Sequence, residues 1–249
     1  MSKVRKCAYC QSEETLTREH IWPKCMLNRM PELNLKYIGS RNLLAPTELV
    51  ISDVCAECNN KKLSVLDNYL CLLYDQSLKT FREDHTPFKF EYDYDHLLRV
   101  LLKLTYNSSR TMQRENNQFE KYREMILEGG VREDVIVKLD IVTPSIIDGE
   151  KIYPKSARIG SLQIPEGSSK FILRAVSVNS FYFYIILSKE FEVKPGDKDE
   201  LVRVFHSIPG TVIHPHQKEI LVDSFSGHNT ESSHFDWVTK AETQNKTRK

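Results

Sequence analysis

The sequence predicts an α+β fold: a small zinc-clipped module at the N-terminus, then helices, then an antiparallel sheet. Three observations predict it. Two Cys-x-x-Cys pairs, Cys7-Ala-Tyr-Cys10 and Cys55-Ala-Glu-Cys58, lie within the first sixty residues. Leucines then recur at helical spacing, as Leu63, Leu66, Leu70 and Leu73, and again as Leu97, Leu101 and Leu104. From Val131 onward the apolar period becomes two, which is the period of strands.

Residues 1–62 are rich in Cys, Asn, Pro and charge and show little periodicity, which suits a module held by metal rather than by a large core. The run Leu49-Val-Ile-Ser-Asp-Val54 reads as a strand leading into the second pair. A helix is expected to start near Asn59 or Asn60, since Asn is a good N-cap, and its four leucines mark one buried face. Residues 82–95, polar and aromatic with Pro87 as a breaker, read as a link. His96 to Asn107 and Asn117 to Leu127 read as further helices, the second closed by Gly129-Gly130.

Val135, Val137, Leu139 and Ile141 alternate with Ile136, Lys138 and Asp140, as in a half-buried strand. Phe171 to Val178 and Phe181 to Leu187 read as strands joined by a tight turn at Asn179-Ser180. Leu201-Val-Arg-Val-Phe205 reads as one more. The polar stretch from Ser226 to Lys249 is expected to be partly disordered, with Phe225, Phe235 and Trp237 available to dock it to the body or to a partner. The division is therefore residues 1–82, 83–225 and 226–249.

Composition sets limits on function. The 249 residues are 40% hydrophobic, enough for a core, and carry a formal net charge of only +1. Any nucleic-acid surface is thus local, and residues 1–62 hold a mild excess of 10 Lys and Arg over 7 Asp and Glu. Six cysteines in a chain of this length do not form a secreted disulfide framework. Cys25 and Cys71, left over from the two pairs, read as buried free thiols. The chain opens with no charged-then-apolar signal segment, and Phe181 to Leu187 is too short to span a bilayer, so a soluble cytoplasmic protein is expected.

The chemistry lies in the N-terminal module. Cys7, Cys10, Cys55 and Cys58 are the ligand set of a tetrahedral structural zinc, each Zn–S bond about 2.3 Å long. Such a site is closed and is not catalytic. Thr17-Arg-Glu-His-Ile-Trp-Pro23 follows the first pair, and Asn59-Asn-Lys-Lys62 follows the second. His20 has the chemistry of a general base at neutral pH. Glu19 with Asn59 is an oxygen-only ligand pair suited to Mg²⁺ or Mn²⁺. Alone, His20 reads better as a core or surface histidine and Asn59 as a helix cap; together and clipped by one zinc, the functional reading prevails.

Cys7-x-x-Cys10, Glu19-His20-Ile21-x-Pro23 and Cys55-x-x-Cys58-Asn59-Asn60 together resemble the zinc-bound branch of the HNH endonucleases, in the ββα-metal superfamily. The resemblance covers residues 7–67. It implies that His20 activates water for attack on a DNA phosphate, that Glu19 and Asn59 hold the catalytic ion, and that Asn42 is the middle Asn that orients the base. Proteins of this layout resemble effectors of bacterial restriction or anti-phage defence. A zinc-ribbon nucleic-acid binder without catalysis, and a module active only in a complex, are the alternatives.

Basic residues complete the expectation. Lys61 and Lys62 are placed to meet phosphates, or to be solvated surface lysines. Arg99, Lys103, Asn107, Arg110 and Arg114 form one stripe turned away from Leu97, Leu101 and Leu104, either a DNA-backbone track or a solvated face. The same helix is the expected link through which residues 90–249 gate the nuclease in response to a target, a partner or a small signal. His214 and His216 read as a surface loop.

Overall fold

A computed structural model describes residues 5–38, 43–46, 49–83, 86–112, 116–132, 134–154, 157–164, 167–190 and 193–222. Asn42, Arg114, Phe225, Phe235 and Trp237 lie outside them. Among the described residues no helix is long and apolar enough to cross a membrane.

The N-terminal module is built on strand β1 (Leu16–His20), helix α1 (Lys24–Arg29), the hairpin of β2 (Leu35–Ile38) with β3 (Leu43–Pro46), and β4 (Val50–Cys55). β1 pairs antiparallel with β4. A π-helical stretch, Cys58–Leu63, runs directly into α2 (Ser64–Leu73) and a second such turn at Tyr74–Leu78. Leu63, Leu66, Leu70 and Leu73 are all buried, as their spacing requires. Asn59 sits inside the first helical turn, so it is not the cap.

The free-thiol reading of Cys25 and Cys71 is corrected. They form a disulfide between α1 and α2 across 46 residues of sequence. Their Cα atoms are 6.4 Å apart, within the range a disulfide spans. Nothing in their sequence spacing signals this, because it depends on how α1 is laid on α2.

The expected link contains a strand, β5 (Phe88–Glu91), which leads into α3 (Tyr94–Met112). A broken helical segment follows: α4 (Asn116–Phe119), a 3₁₀ turn at Glu120–Tyr122, and α5 (Arg123–Glu128). Gly129 closes it at φ 88°, where a Cβ would lie 2.5 Å from Asp95 Oδ1. The remaining elements are β6 (Val135–Ile141), β7 (Ser145–Ile147), β8 (Glu150–Ile152), β9 (Arg158–Leu162), β10 (Phe171–Val178), β11 (Phe181–Ser188), α6 (Lys198–Ser207), β12 (Thr211–Val212) and β13 (Glu219–Val222). Five strands form an antiparallel sheet in the order β12-β6-β11-β10-β9, while β13 pairs with β5.

Two readings in this half are corrected. Leu201 to Phe205 lies in α6 rather than in a strand. Asp199 and Glu200 occupy its first turn, and Leu201, Val204 and Ile208 meet the core at i, i+3 and i+7. β6 is not half-buried, for Lys138 is 6% and Asp140 0% exposed. Lys138 turns its amine to the Phe205 and Ile208 carbonyls at the end of α6, a favourable place for a cation. Both faces of the sheet are covered, so β10 and β11 are buried along their whole length.

One core runs from Cys7 and Met26 through Leu66, Leu101 and Ile126 to Phe183 and Val222. A second, smaller cluster lies on the other sheet face with Tyr184, Val204 and Ile208. α3 packs against α2 and against β9 and β10. The hairpin tip joins the halves too. Asn179, at φ 51°, donates from Nδ2 to the Leu78 carbonyl at 2.9 Å, and Ser180 Oγ accepts from Arg82 N at 2.9 Å. A fragment ending at Glu83 is therefore expected not to fold cooperatively, because α2 loses α3. Its far-UV circular dichroism melt checks this; a sharp two-state melt contradicts it.

Candidate metal centre and the strand beside it

The first Cys pair is shaped by a tight turn. Gln11 N donates to the Cys7 carbonyl at 3.0 Å, with Gln11 at φ 64°. Ala8 N donates to the Asp53 carbonyl at 2.7 Å, which fixes this turn to β4. The second pair spans the end of β4 and the first helical turn, so strand and helix each deliver one sulfur. The four Sγ atoms lie within 4.8 Å of one another.

A zinc–sulfur bond of about 2.3 Å requires tetrahedral sulfurs about 3.8 Å apart. Cys10 and Cys55 Sγ are 3.6 Å apart. Backbone amides also point at the sulfurs: Cys55 N at Cys7 Sγ, 3.3 Å, and Cys58 N at Cys55 Sγ, 3.5 Å. Cys7, Cys55 and Cys58 are buried and Cys10 is exposed. Burial and the adjoining sulfurs push Cys55 and Cys58 up from the usual thiol range. At Cys10 burial is outweighed by Ser12, and the thiol falls to about 6. A dication at the centre reverses the repulsion among thiolates, so the donor set fits zinc.

Beside this cluster the β1–β4 ladder is bulged. Thr17 faces Val54 and Glu19 faces Ile51, so β4 carries an extra residue opposite Arg18. His20 is half-buried at the end of β1. Asn59 Nδ2 donates to Thr17 Oγ1 at 2.8 Å and to the Arg18 carbonyl at 2.9 Å. A carbonyl only accepts, so the amide orientation is fixed and Oδ1 is turned away from both. The helix start is thereby stitched to the strand two residues before His20.

Glu19 points the other way. It is 4% exposed, its Oε1 lies 2.7 Å from Lys103 Nζ, and it accepts from Asn107 Nδ2 at 3.3 Å. Lys103, 0% exposed, also pairs with Asp67 on α2. Asn107 Oδ1 accepts from the Tyr9 hydroxyl at 2.6 Å and from Arg110 Nη2 at 2.9 Å. Arg110 pairs with Asp53 and lies over the Tyr106 ring at 4.1 Å. The Tyr106 hydroxyl donates to the Ala8 carbonyl at 3.0 Å, inside the first Cys pair. Burial pushes the Glu19 carboxyl up, against the pull of Lys103.

The DNA-track and solvated-face readings of the stripe are both corrected. Lys103 is fully enclosed. Arg99 is committed to Asp95 and to the Ile126 and Leu127 carbonyls, and Arg110 to Asp53 and Asn107. A buried amine or guanidinium does not reach phosphate. Lys61 pairs with Glu57 at 2.7 Å and stays exposed, whereas Lys62 pairs with Glu128 at 2.5 Å. His214 and His216 are exposed in a turn, as expected. Sequence reasoning missed Tyr9, Asp67 and Asp53 in the seam beneath β1. Their partners are 36 to 98 residues away in sequence, and no local pattern carries such a pairing.

Scans against protein-family models, curated proteins and solved structures found no match for this chain.

Proposed function

We propose that the chain is an endonuclease or nickase of the HNH type, hydrolysing phosphodiester bonds in DNA, with a structural zinc. One observation carries the reading. The four-cysteine cluster ties the turn before β1 to the end of β4 and to the helix that follows, and Asn59 on that helix is bonded to β1 two residues before His20. A zinc staple alone has no need of an amide tied to the strand that ends in a histidine.

His20 takes the proton from the attacking water in this reading. Asn59 Oδ1 would hold Mg²⁺ or Mn²⁺ in this reading, and the ion would supply charge neutralisation at the phosphate and the leaving oxygen. Glu19, the acidic half of the expected ligand pair, is committed to Lys103 and Asn107, so the two ligands do not converge and no step is assigned to it. Lys61 is the exposed cation of the helix start that can meet a neighbouring phosphate. A role in restriction or anti-phage defence is the wider setting that the HNH resemblance suggests.

The inward Glu19 is also the observation that favours the second reading, a zinc-held nucleic-acid binder without catalysis. A supercoiled-plasmid assay with Mg²⁺, Mn²⁺ or EDTA separates the two. His20→Ala is expected to lower nicking by roughly 10²–10⁴-fold with zinc content and melting unchanged, and Asn59→Ala to lower it with zinc retained but with some loss of stability from its two bonds to β1. Cleavage by pure His20→Ala at the wild-type rate moves the base elsewhere. Wild type that binds but never cuts DNA or RNA in any ion establishes the binder.

A further inference from the structure

The Cys25–Cys71 bond occupies a particular place. Cys25 lies five residues after His20, at the start of α1. Cys71 lies on α2, continuous with the turn that carries Asn59. The bond thus joins the two segments that bear the candidate catalytic groups. α1 is also held without it: Arg29 pairs with Asp75, on the turn that continues α2, through Nε at 2.9 Å and Nη2 at 2.5 Å, and Met26 is fully buried. Opening the bond therefore loosens one contact and leaves the helices docked.

The module contains two sulfur chemistries. Four thiolates at a zinc must stay reduced. Where conditions keep them so, a nearby disulfide is transient and redox-sensing rather than permanent. A zinc on Cys7, Cys10, Cys55 and Cys58 would tie up those four sulfurs, so the remaining pair is what the redox poise acts on. Cys25 is half-buried and Cys71 is 5% exposed, so Cys25 is the more exposed residue of the pair.

We propose that Cys25–Cys71 is a redox-sensitive brace: closed, it holds the His20 segment in register with the Asn59 helix, and opened by a small dithiol it lets that register slacken. One thiolate of the dithiol attacks Cys25 Sγ, and Cys71 leaves as a thiolate and takes a proton. The second thiol then attacks the dithiol's own sulfur in the mixed disulfide and releases the Cys25 thiol. Two electrons and two protons pass to the protein, and the dithiol ends as a cyclic disulfide. The effect on cleavage rests on the nuclease reading above; the brace itself does not.

The test uses the full-length zinc-loaded protein, oxidised or treated with dithiothreitol, and the Cys25→Ser/Cys71→Ser double variant as the permanently open form. Zinc content and intact mass are followed throughout. Reduction is expected to add two hydrogens reversibly with zinc retained. It should raise amide exchange over residues 16–24 and 59–64 about tenfold, in the double variant as well. Plasmid nicking should fall roughly tenfold or more, since a small displacement of reacting groups costs that much. Exchange that rises while neither form nicks supports the brace and removes the nuclease reading. A bond that opens only on unfolding, unchanged exchange, or measurable nicking at the same rate by both forms overturns the proposal.

Discussion

Cys55→Ser is expected to leave the N-terminal module unfolded at room temperature, and chelator-stripped wild type should match it. Four sulfurs already lie within 4.8 Å of one another, with amides pointed at two of them. A structural zinc of this kind contributes about 10–16 kcal/mol of folding free energy at neutral pH. A domain of ordinary size is stable by only about 5–15 kcal/mol in total. The metal term alone therefore matches the whole margin. Cys55 is the most informative of the four, because it ends β4, and Cys7 Sγ accepts from its amide. The core that contains Cys7, Cys55 and Cys58 continues into α3 and the sheet, so damage should spread beyond the module, weakening α3 before β10 and β11. Elemental analysis should give one zinc per chain in wild type and none in the variant, and circular dichroism should show the loss of helix. Wild type without zinc, purified free of chelator, contradicts the prediction.

What the sequence showed, and what it hid, divides along a physical line. Spacing within one element was legible. The leucines of α2 fell on a buried face, the two Cys pairs met, and Asn179-Ser180 formed the turn between β10 and β11. Whether an element's second face meets water or protein was not legible. α3 reads as amphipathic, with leucines on one side and basic residues on the other, yet Leu97 to Ser109 is buried at every position but Arg99. α2, β9 and β10 cover the helix from different sides, so its polar residues became internal ties. The same cause turned Lys138 and Asp140 from solvent-facing residues into buried ones. Glu19 beside His20 was legible as a pair in sequence, but strand alternation sends the two side chains to opposite faces. A helix also hid in Leu201 to Phe205, where β-branched residues imitated a strand while Asp199 and Glu200 marked a helix start.

Lys103→Met should destabilise the protein by about 3–5 kcal/mol, the cost of leaving a buried charge without its partner. Lys103 Nζ is the cation between Glu19 on β1 and Asp67 on α2, with no exposure of its own. Removing it strands the Glu19 carboxylate, which is 4% exposed and among the described residues keeps Asn107 Nδ2 as a donor. The same substitution with Glu19→Gln should cost less than Lys103→Met alone, because the more deeply buried of the two stranded carboxylates is gone and only the partly exposed Asp67 is left without its cation. A double-mutant cycle by urea unfolding measures this coupling; additive effects would show that the pair does not act as a unit. The pH dependence has a definite sign. Burial alone would lower the Lys103 amine, but Asp67 and Glu19 hold it above the ordinary lysine value. Its contribution is thus complete below the unfolded value of about 10.4 and is lost as pH rises through the raised folded one. Wild type should lose stability at strongly alkaline pH, and Lys103→Met should lack that component. This ion cluster, rather than a DNA-facing stripe, is how the second half of the chain bears on the strand that carries His20. Lys103 and Asn107 sit one helical turn apart on α3 and grip Glu19 from beneath, so α3 is tied directly to β1.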